Sequence, residues 1–331
     1  MKKIIITGGL GFIGSYLVKK FLKEKYKVLN IDKVSYCSQK LAIRNKNYIF
    51  YKIDLTNKIK VFNIIKKFSP DCIINCAAES HVDRSIFSPE NFYKNNVISV
   101  LNLLESIRQF NSNIKLVQIS TDEVFGTLKK KSNKFNIKSK YLPQSPYSSS
   151  KASGDHLVRS YANTYGIKYI ITNCSNNFGP LQYTEKLIPV VVESCIKKKN
   201  IPIYGNGKNI RDWIYVEDHC DAIFKALTKN EFMKTYLIGG DYEISNIDLV
   251  MKICKFYDQI TKNKDNSFKL ISFVKDRKGH DFRYAIDNHD IKKTLKWKPS
   301  SNFDANLKNT INFYIKHKNN MKNIFHNVSK N

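Results

Sequence analysis

No stretch of this chain approaches the ~18 consecutive apolar residues of a membrane span. Its opening, Met1-Lys-Lys-Ile-Ile-Ile6, starts like the basic end of a signal peptide, but Thr7-Gly8-Gly9 closes the apolar run too early for one. A cytoplasmic location is therefore expected. Cysteines number seven, an odd count with no C-x-x-C pair, so free thiols in a reducing compartment are expected rather than a disulfide framework. The seven histidines are scattered without metal-ligand spacing, and no metal is expected. No internal repeat is visible. Acidic residues are also scarce: 28 Asp and Glu stand against 56 Lys and Arg, for a formal net charge of +28. The lysines are dispersed and often lie beside asparagines, as around Lys129–Lys131 and Lys197–Lys199. That is the pattern of a solvated surface and of AT-rich coding, so no nucleic-acid partner is expected. A small polyanion such as a nucleotide diphosphate would still be attracted.

What is present is an ordinary globular composition, 42% hydrophobic over 331 residues, enough for a large core with a second lobe on it. The chain opens with a βαβ pattern. An apolar strand over residues 3–7 is followed by Gly8-Gly-Leu-Gly11-Phe-Ile-Gly14, an amphipathic helix to about Glu24, and a strand Lys27–Ile31 that ends at Asp32. Glycines in such a turn let the backbone fold tightly, approach a pyrophosphate and pack helix on sheet, with the helix N-terminus facing the phosphates. An acid about 20 residues on, here Asp32, accepts from a ribose diol and repels a 2′-phosphate, which favours NAD over NADP. Lys33 beside it works slightly against that preference.

Alternation continues through a strand Tyr48–Ile53 ending at Asp54-Leu55, a helix to about Phe68, and a strand Asp71–Cys76 ending in Ala77-Ala-Glu-Ser-His81. A helix over residues 91–110 and a strand Lys115–Ile119 come next. This regularity implies an α/β fold with a doubly wound parallel sheet of Rossmann type. After a strand Lys168–Thr172 the elements shorten, which predicts a smaller, interleaved α/β lobe. The division expected is 1–175 for the NAD-binding domain, with some later elements returning to it, and 176–331 mostly for the substrate-binding lobe. Residues 128–142 form a polar, Lys-rich loop expected to be mobile.

Chemistry concentrates between Ser120 and Lys151. Thr121-Asp122-Glu123 falls at a strand's C-terminal end, where open α/β sheets place ligands. Two neighbouring carboxyls there can serve as acid and base if their surroundings separate their pKa values; the same residues would also serve as a helix cap or a solvated turn. Pro146 stands where helices begin. It puts Tyr147 and Lys151 four apart on one helical face, where an ammonium would favour the phenolate and make a base for a hydroxyl proton.

Several further stretches carry a resemblance: Thr7–Gly14, Ala77–Ser85, Thr121–Val124, Tyr147–His156, Asn173–Pro180, Glu185–Pro189, Pro202–Gly205, Arg211–Trp213, Tyr215–Asp218, Asp276–His280 and Trp297–Pro299. Together they resemble the extended short-chain dehydrogenase/reductase family that works on nucleotide sugars, and within it the 4,6-dehydratases of dTDP-sugars, over nearly the whole chain. Phe125 departs from the family's usual Tyr, and Lys278 from its usual Pro.

The resemblance implies NAD as cofactor, dTDP-glucose as substrate and a homodimer, with helices 91–110 and 147–165 as candidate interface. It implies that Thr121 bonds the sugar C4 oxygen, Asp122 is the general acid, Glu123 the general base, Tyr147 the redox base, and that Lys151 holds the nicotinamide ribose. Gly8, Gly11, Phe12, Ile13, Gly14, Asp32, Lys33, Val34, Ser35, Asp54, Leu55, Ala77, Ala78, Glu79, Ser80 and Asn177 would line the cofactor. His81, Asn176, Lys186, Leu187, Pro202, Ile203, Tyr204, Arg211, Asn246, Asp276, Arg277, Lys278, Gly279 and His280 would meet the substrate, with Lys186, Arg211 and Arg277 suited to its pyrophosphate. Related activities on the same framework are a 4-epimerase, a UDP-glucuronate decarboxylase and a UDP-sugar dehydratase; an epimerase has no use for an acid and base at C5 and C6. A non-catalytic NAD sensor would have no use for Tyr147, Lys151 or the carboxyl pair.

Overall fold

Strand alternation decides the architecture. In a computed structural model describing residues 2–129, 132–300 and 302–326, the strands are β1 Lys3–Thr7, β2 Lys27–Asp32, β3 Tyr48–Lys52, β4 Cys72–Asn75, β5 Lys115–Thr121, β6 Tyr169–Cys174, β7 Asn176–Phe178, β8 Ile201–Tyr204, β9 Ile210–Tyr215, β10 Lys234–Ile238, β11 Glu243–Ser245 and β12 Ile271–Val274. Met1, Lys130, Lys131, and residues 301 and 327–331 of the expected lobe lie outside the described residues. Seven strands form one parallel sheet in the order β3-β2-β1-β4-β5-β6-β10. Because successive side chains point to opposite faces, Ile4, Ile6 and Ile74 face helices Phe12–Lys23 and Val216–Lys229. Ile5, Leu29 and Ile73 face helices Lys58–Phe68 and Ser99–Phe110 on the other side. Both faces are therefore covered, which is what makes the central strands continuous apolar runs.

The order reverses between β1 and β4, so the carboxyl ends of these strands open a crevice of the kind that binds nucleotides. A second core gathers helices Leu187–Lys197, Asn246–Thr261 and Phe303–His317 around Trp213, Phe178 and Tyr215. Two small sheets accompany it, β11-β9-β7 and β12-β8. The chain after residue 176 serves both bodies, since β10 and helix His289–Leu295 pack on the first sheet.

Two expectations need correction. The helix expected over 91–110 runs as Pro89–Tyr93 and Ser99–Phe110 joined by a π turn, Lys94–Ile98. The wider turn places buried Asn96 where its amide bonds both backbone groups of Glu79 and the Ser150 hydroxyl. The described part of the 128–142 loop is anchored rather than loose. Phe135 is buried against Phe125 and pairs with Ile286, and the Tyr141 hydroxyl reaches Asp155. Phe125 itself is packed between Phe135 and Tyr141, a setting that asks nothing of a hydroxyl.

Candidate active site

The glycine-rich turn is built for close approach. Gly8 has φ +67°, and a Cβ there would lie 2.7 Å from the Ala77 backbone, so the turns after β1 and β4 touch. A Cβ on Gly14 would lie 2.2 Å from the Gly8 carbonyl. Gly11 precedes helix Phe12–Lys23 and brings no side-chain cap, which leaves the first N–H groups free for an anion. Over these strand ends lies a cleft of about 710 Å³, counting space open to solvent. Gly8, Gly11, Asp32, Lys33, Ser35, Asp54, Leu55, Ala77, Ala78, Glu79 and Ser80 are among the residues lining it. Phe12, Ile13, Gly14, Val34 and Asn177 are not among its lining residues. Phe12 packs edge-on against Tyr16, Ile13 joins the sheet core, and Asn177 bonds His219. Val34, at φ +60°, gives its N–H to Asp32.

Asp32 is more committed than expected. One carboxylate oxygen accepts from Leu10 N–H at 3.0 Å, the other from Val34 N–H at 2.8 Å and the Ser38 hydroxyl at 3.3 Å. Acceptor capacity remains chiefly on the first oxygen. Lys33 is turned away from Asp32 to Glu79 at 2.6 Å and Asn95 at 2.8 Å. A clefted strand end with a bare helix N-terminus and an acid on β2 fits a dinucleotide.

At the end of β5 the backbone enters a single 3₁₀ turn, Asp122–Phe125, which turns neighbouring carboxylates away from the strict alternation of a strand. The Thr121 hydroxyl accepts from Glu123 N–H at 3.2 Å and sits 3.3 Å from Asp122. Asp122 is 1% exposed and its Oδ2 has no hydrogen-bond partner. Burial pushes its carboxyl well above the usual range, and the charges of Glu123 and Asp212 add to this. Burial raises Glu123 as well, but Arg277, Arg211 and Lys186 pull it back. Both carboxyls are raised, Asp122 the more strongly, so their proton affinities are separated.

Helix Pro146–Tyr165 starts in a reciprocal Ser145/Ser148 cap with Pro146 in its first turn. It carries Tyr147 and Lys151, both buried. Burial, followed by the Glu123 charge, raises the Tyr147 hydroxyl well above 10, with Thr121 acting the other way. The Lys151 ammonium gives a hydrogen bond to the Ile119 carbonyl at 2.7 Å. The Lys151 ammonium is itself disfavoured by burial.

The groups expected to meet substrate converge unevenly. Lys186 reaches the Ser80 carbonyl at 2.7 Å, and His81 caps helix Val82–Phe87. Arg277 lies 3.5 Å from Asp83, and its Nε is buried without a partner. Arg211 is buried over the Tyr284 ring at 4.3 Å and gives N–H groups to the carbonyls of Ile210 and Asp281, so only part of its fork is free. Asp276 accepts from Arg277 N–H and meets the His280 ring at 2.7 Å, in a loop turned by Gly279 at φ +63°, with Lys278 exposed beside it. Along β8, alternation exposes Pro202 and Tyr204 but drives Ile203 into the lobe core, which removes its side chain from any ligand. Asn176 on β7, Leu187 at its helix start and Asn246 at another are half-buried.

Sequence reasoning missed Tyr36 and Glu185, which line the cleft and bond each other at 2.9 Å although 149 residues apart. No spacing could have signalled that pair. It also missed Asp155, whose position four residues after Lys151 was a helical signal in plain view.

The sequence profile of the family described as GDP-mannose 4,6 dehydratase matches residues 5–310. A dTDP-glucose 4,6-dehydratase of Escherichia coli is 41% identical over 341 residues, covering 96% of this chain and 94% of the relative. The chain belongs to the dTDP-glucose 4,6-dehydratase family. Solved structures agree. The family member from Bacillus anthracis, in complex with NAD, superposes with TM-score 0.86 at 39% identity over 96% of this chain and 98% of its own. The family member from Streptomyces venezuelae, with NAD bound, gives TM-score 0.89 at 32% identity over the same shares. Among the described residues no helix is long and apolar enough to cross a membrane, and no cluster of candidate metal ligands occurs.

Proposed function

We propose that this protein holds NAD and converts dTDP-glucose to dTDP-4-keto-6-deoxyglucose by loss of water, in cytoplasmic synthesis of a deoxysugar such as rhamnose. The observation that carries this reading is the unequal carboxyl pair beside Tyr147: Asp122 buried with an unpartnered oxygen and strongly raised, Glu123 less raised because three cations oppose its burial. An epimerase would need Tyr147 and Lys151 but neither acid nor base at C5 and C6.

Gly8, Gly11, Asp32, Lys33, Ser35, Asp54, Leu55 and Ala77–Ser80 would hold the cofactor along the cleft, with Phe12, Ile13, Gly14, Val34 and Asn177 shaping it. NAD, when bound, would supply a hydride acceptor at C4 and a hydride donor at C6, and Glu123 would return its proton to C5 as the C6–H bond forms. Tyr147 takes the C4 hydroxyl proton, with Thr121 bonding the C4 oxygen and Lys151 holding the nicotinamide ribose. The C4 ketone acidifies C5–H. Glu123 removes that proton, and Asp122 protonates the departing C6 oxygen, which leaves as water. Arg277, Arg211 and Lys186 serve the pyrophosphate; His81, Asn176, Leu187, Pro202, Tyr204, Asn246, Asp276, Lys278, Gly279 and His280 shape the rest, with Ile203 contributing backbone only. No net oxidation occurs, so the cofactor is expected to stay bound. A homodimer is supported by apolar exposure on and beside the two candidate interface helices: Phe87 is 85% exposed, and Tyr93, Ile98 and Tyr165 are partly exposed.

The test is incubation of purified protein with dTDP-glucose and, separately, UDP-glucose, with no NAD added. Loss of one water from dTDP-glucose, read by mass, is expected. An unchanged mass with an inverted C4 centre would replace dehydration with epimerisation.

A further inference from the structure

Behind the reacting groups lies a buried polar cluster that these steps leave unused. Asp155 is 0% exposed and follows Lys151 by one helical turn on the same face. Its Oδ2 accepts from the Ser120 hydroxyl at 2.6 Å, the Tyr141 hydroxyl at 2.9 Å and the Asn173 amide at 3.5 Å. The same Asn173 amide donates to the Thr121 carbonyl at 3.0 Å, and Arg159 donates to the Tyr141 hydroxyl at 3.0 Å. Ser120 and Thr121 end β5, and Asn173 lies beside them on β6. Three donors converge on one oxygen, which is the arrangement a carboxylate anion requires. Its other oxygen, Oδ1, is buried with no partner. A buried carboxylate left half satisfied is costly unless a cation stands near.

That cation is Lys151. Its own ammonium is disfavoured by burial, and Asp155 is the foremost charge offsetting this; Cys76 at the end of β4 and Cys174 on β6 are the other ionisable groups facing it. Burial raises the Asp155 carboxyl in turn, and Lys151, the hydroxyls of Ser120 and Tyr141, and Arg159 act against that and favour its anion. The Lys151 ammonium bonds the Ile119 carbonyl, two residues before Thr121, so the lysine and Asp155 grip the same strand end from one helix.

We propose that Asp155 is a positioning residue: its buried carboxylate fastens the helix carrying Tyr147 and Lys151 to the end of β5 carrying Thr121, Asp122 and Glu123, and supplies the counter-charge that keeps Lys151 an ammonium. Only the activity readout of this inference rests on the dehydratase reading. The lysine readout does not.

The experiment compares wild type, Asp155→Asn and Ser120→Ala, each checked for an unaltered thermal midpoint and NAD content. Carbon-13 labelled lysine is titrated by NMR, with Lys151→Met identifying the Lys151 signal, and reduced nicotinamide is followed by absorbance on mixing with dTDP-glucose across pH. In Asp155→Asn the Lys151 midpoint falls by about one pH unit or more. The alkaline limb of nicotinamide reduction falls with it, and the rate drops on the order of 10²-fold from loosened geometry. Ser120→Ala, which keeps the charge and loses one tie, slows reduction without moving the Lys151 midpoint. An unmoved Lys151 midpoint in Asp155→Asn overturns the proposal, even if reduction is slow. If Asp155→Asn does not fold, Tyr141→Phe carries the test: with one donor lost, the carboxylate takes up its proton at higher pH and the acid limb of reduction moves up, and an unmoved limb overturns the proposal. Wild-type protein that leaves dTDP-glucose unchanged sinks the dehydratase reading instead, and the Lys151 titration still decides this one.

Discussion

Glu123→Gln separates the two halves of the reaction in a way that the electrostatics make quantitative. The substitution keeps shape and removes one negative charge from a place where it does two things. It is the C5 base, and it is, after burial, the foremost cause of the raised Tyr147 hydroxyl. Loss of a general base costs ~10²–10⁴-fold, so C5–H exchange with solvent deuterium and release of water should fall by that amount. The oxidation half should move the other way. A unit charge several ångströms from the phenol, at an effective dielectric of about 20, is worth roughly 2–3 kcal/mol. Removing it lowers the Tyr147 pKa, so the phenolate forms at lower pH and the limb of nicotinamide reduction shifts to lower pH. Rapid mixing with dTDP-glucose, read by reduced-nicotinamide absorbance, should show a burst no slower than wild type followed by a stall. Elimination of water at the wild-type rate would refute the base assignment. A burst limb shifted to higher pH would refute the electrostatic argument while leaving the base in place.

Tyr147→Phe should remove the burst itself, lowering nicotinamide reduction by ~10²–10⁴-fold while leaving dTDP-glucose binding measurable by calorimetry. Gly14→Ala places a Cβ 2.2 Å from the Gly8 carbonyl, a backbone atom that cannot swing aside, and should cost about 1–3 kcal/mol with loss of copurifying NAD, checked by denaturant unfolding and absorbance of the released cofactor. His219 is buried against Asn177 and its pKa is lowered to about 3 by burial, so the unfolded chain binds the proton first. Stability from this group is whole above ~6.5 and declines as pH falls from there toward about 3, by up to ~1.4 kcal/mol per unit, and His219→Gln should flatten that slope in urea unfolding across pH.

The fold was legible where a local rule and the global one agree. Residues Ile4 to Ile6, Ile73, Ile74 and Leu116 to Ile119 read as buried strands because both faces of a parallel sheet are covered, and Gly8–Gly14 reads as a phosphate turn because no larger residue fits against Ala77. The helix around Lys94–Ile98 misled for the opposite reason. Its sequence has ordinary helical spacing, and the extra residue per turn is dictated by Glu79 and Ser150, which lie distant in sequence and claim the Asn96 side chain. The Lys-rich loop misled similarly: composition says solvent, while Phe135 and Tyr141 say anchor.

At the site, residue types were legible and their protonation was not. Tyr147 and Lys151 at helical spacing suggest an ammonium that lowers a phenol's pKa, but spacing states only which face each residue shares. It is silent on the competing acceptor, the Ile119 carbonyl, and on the depth that disfavours both charged forms. Asp122 and Glu123 are adjacent and chemically alike, so nothing local can say which is the acid. The distinction is made by Arg277 and Lys186, which lower Glu123, and by Asp212, which raises Asp122, while Arg211 lowers both. The difference between the two carboxyls is thus set by Lys186, Asp212 and Arg277, and it exists only once those later segments have packed beside the end of β5. A chain cut before that lobe would retain the glycine turn, Tyr147 and both carboxyls, and would lose the charges that separate their proton affinities.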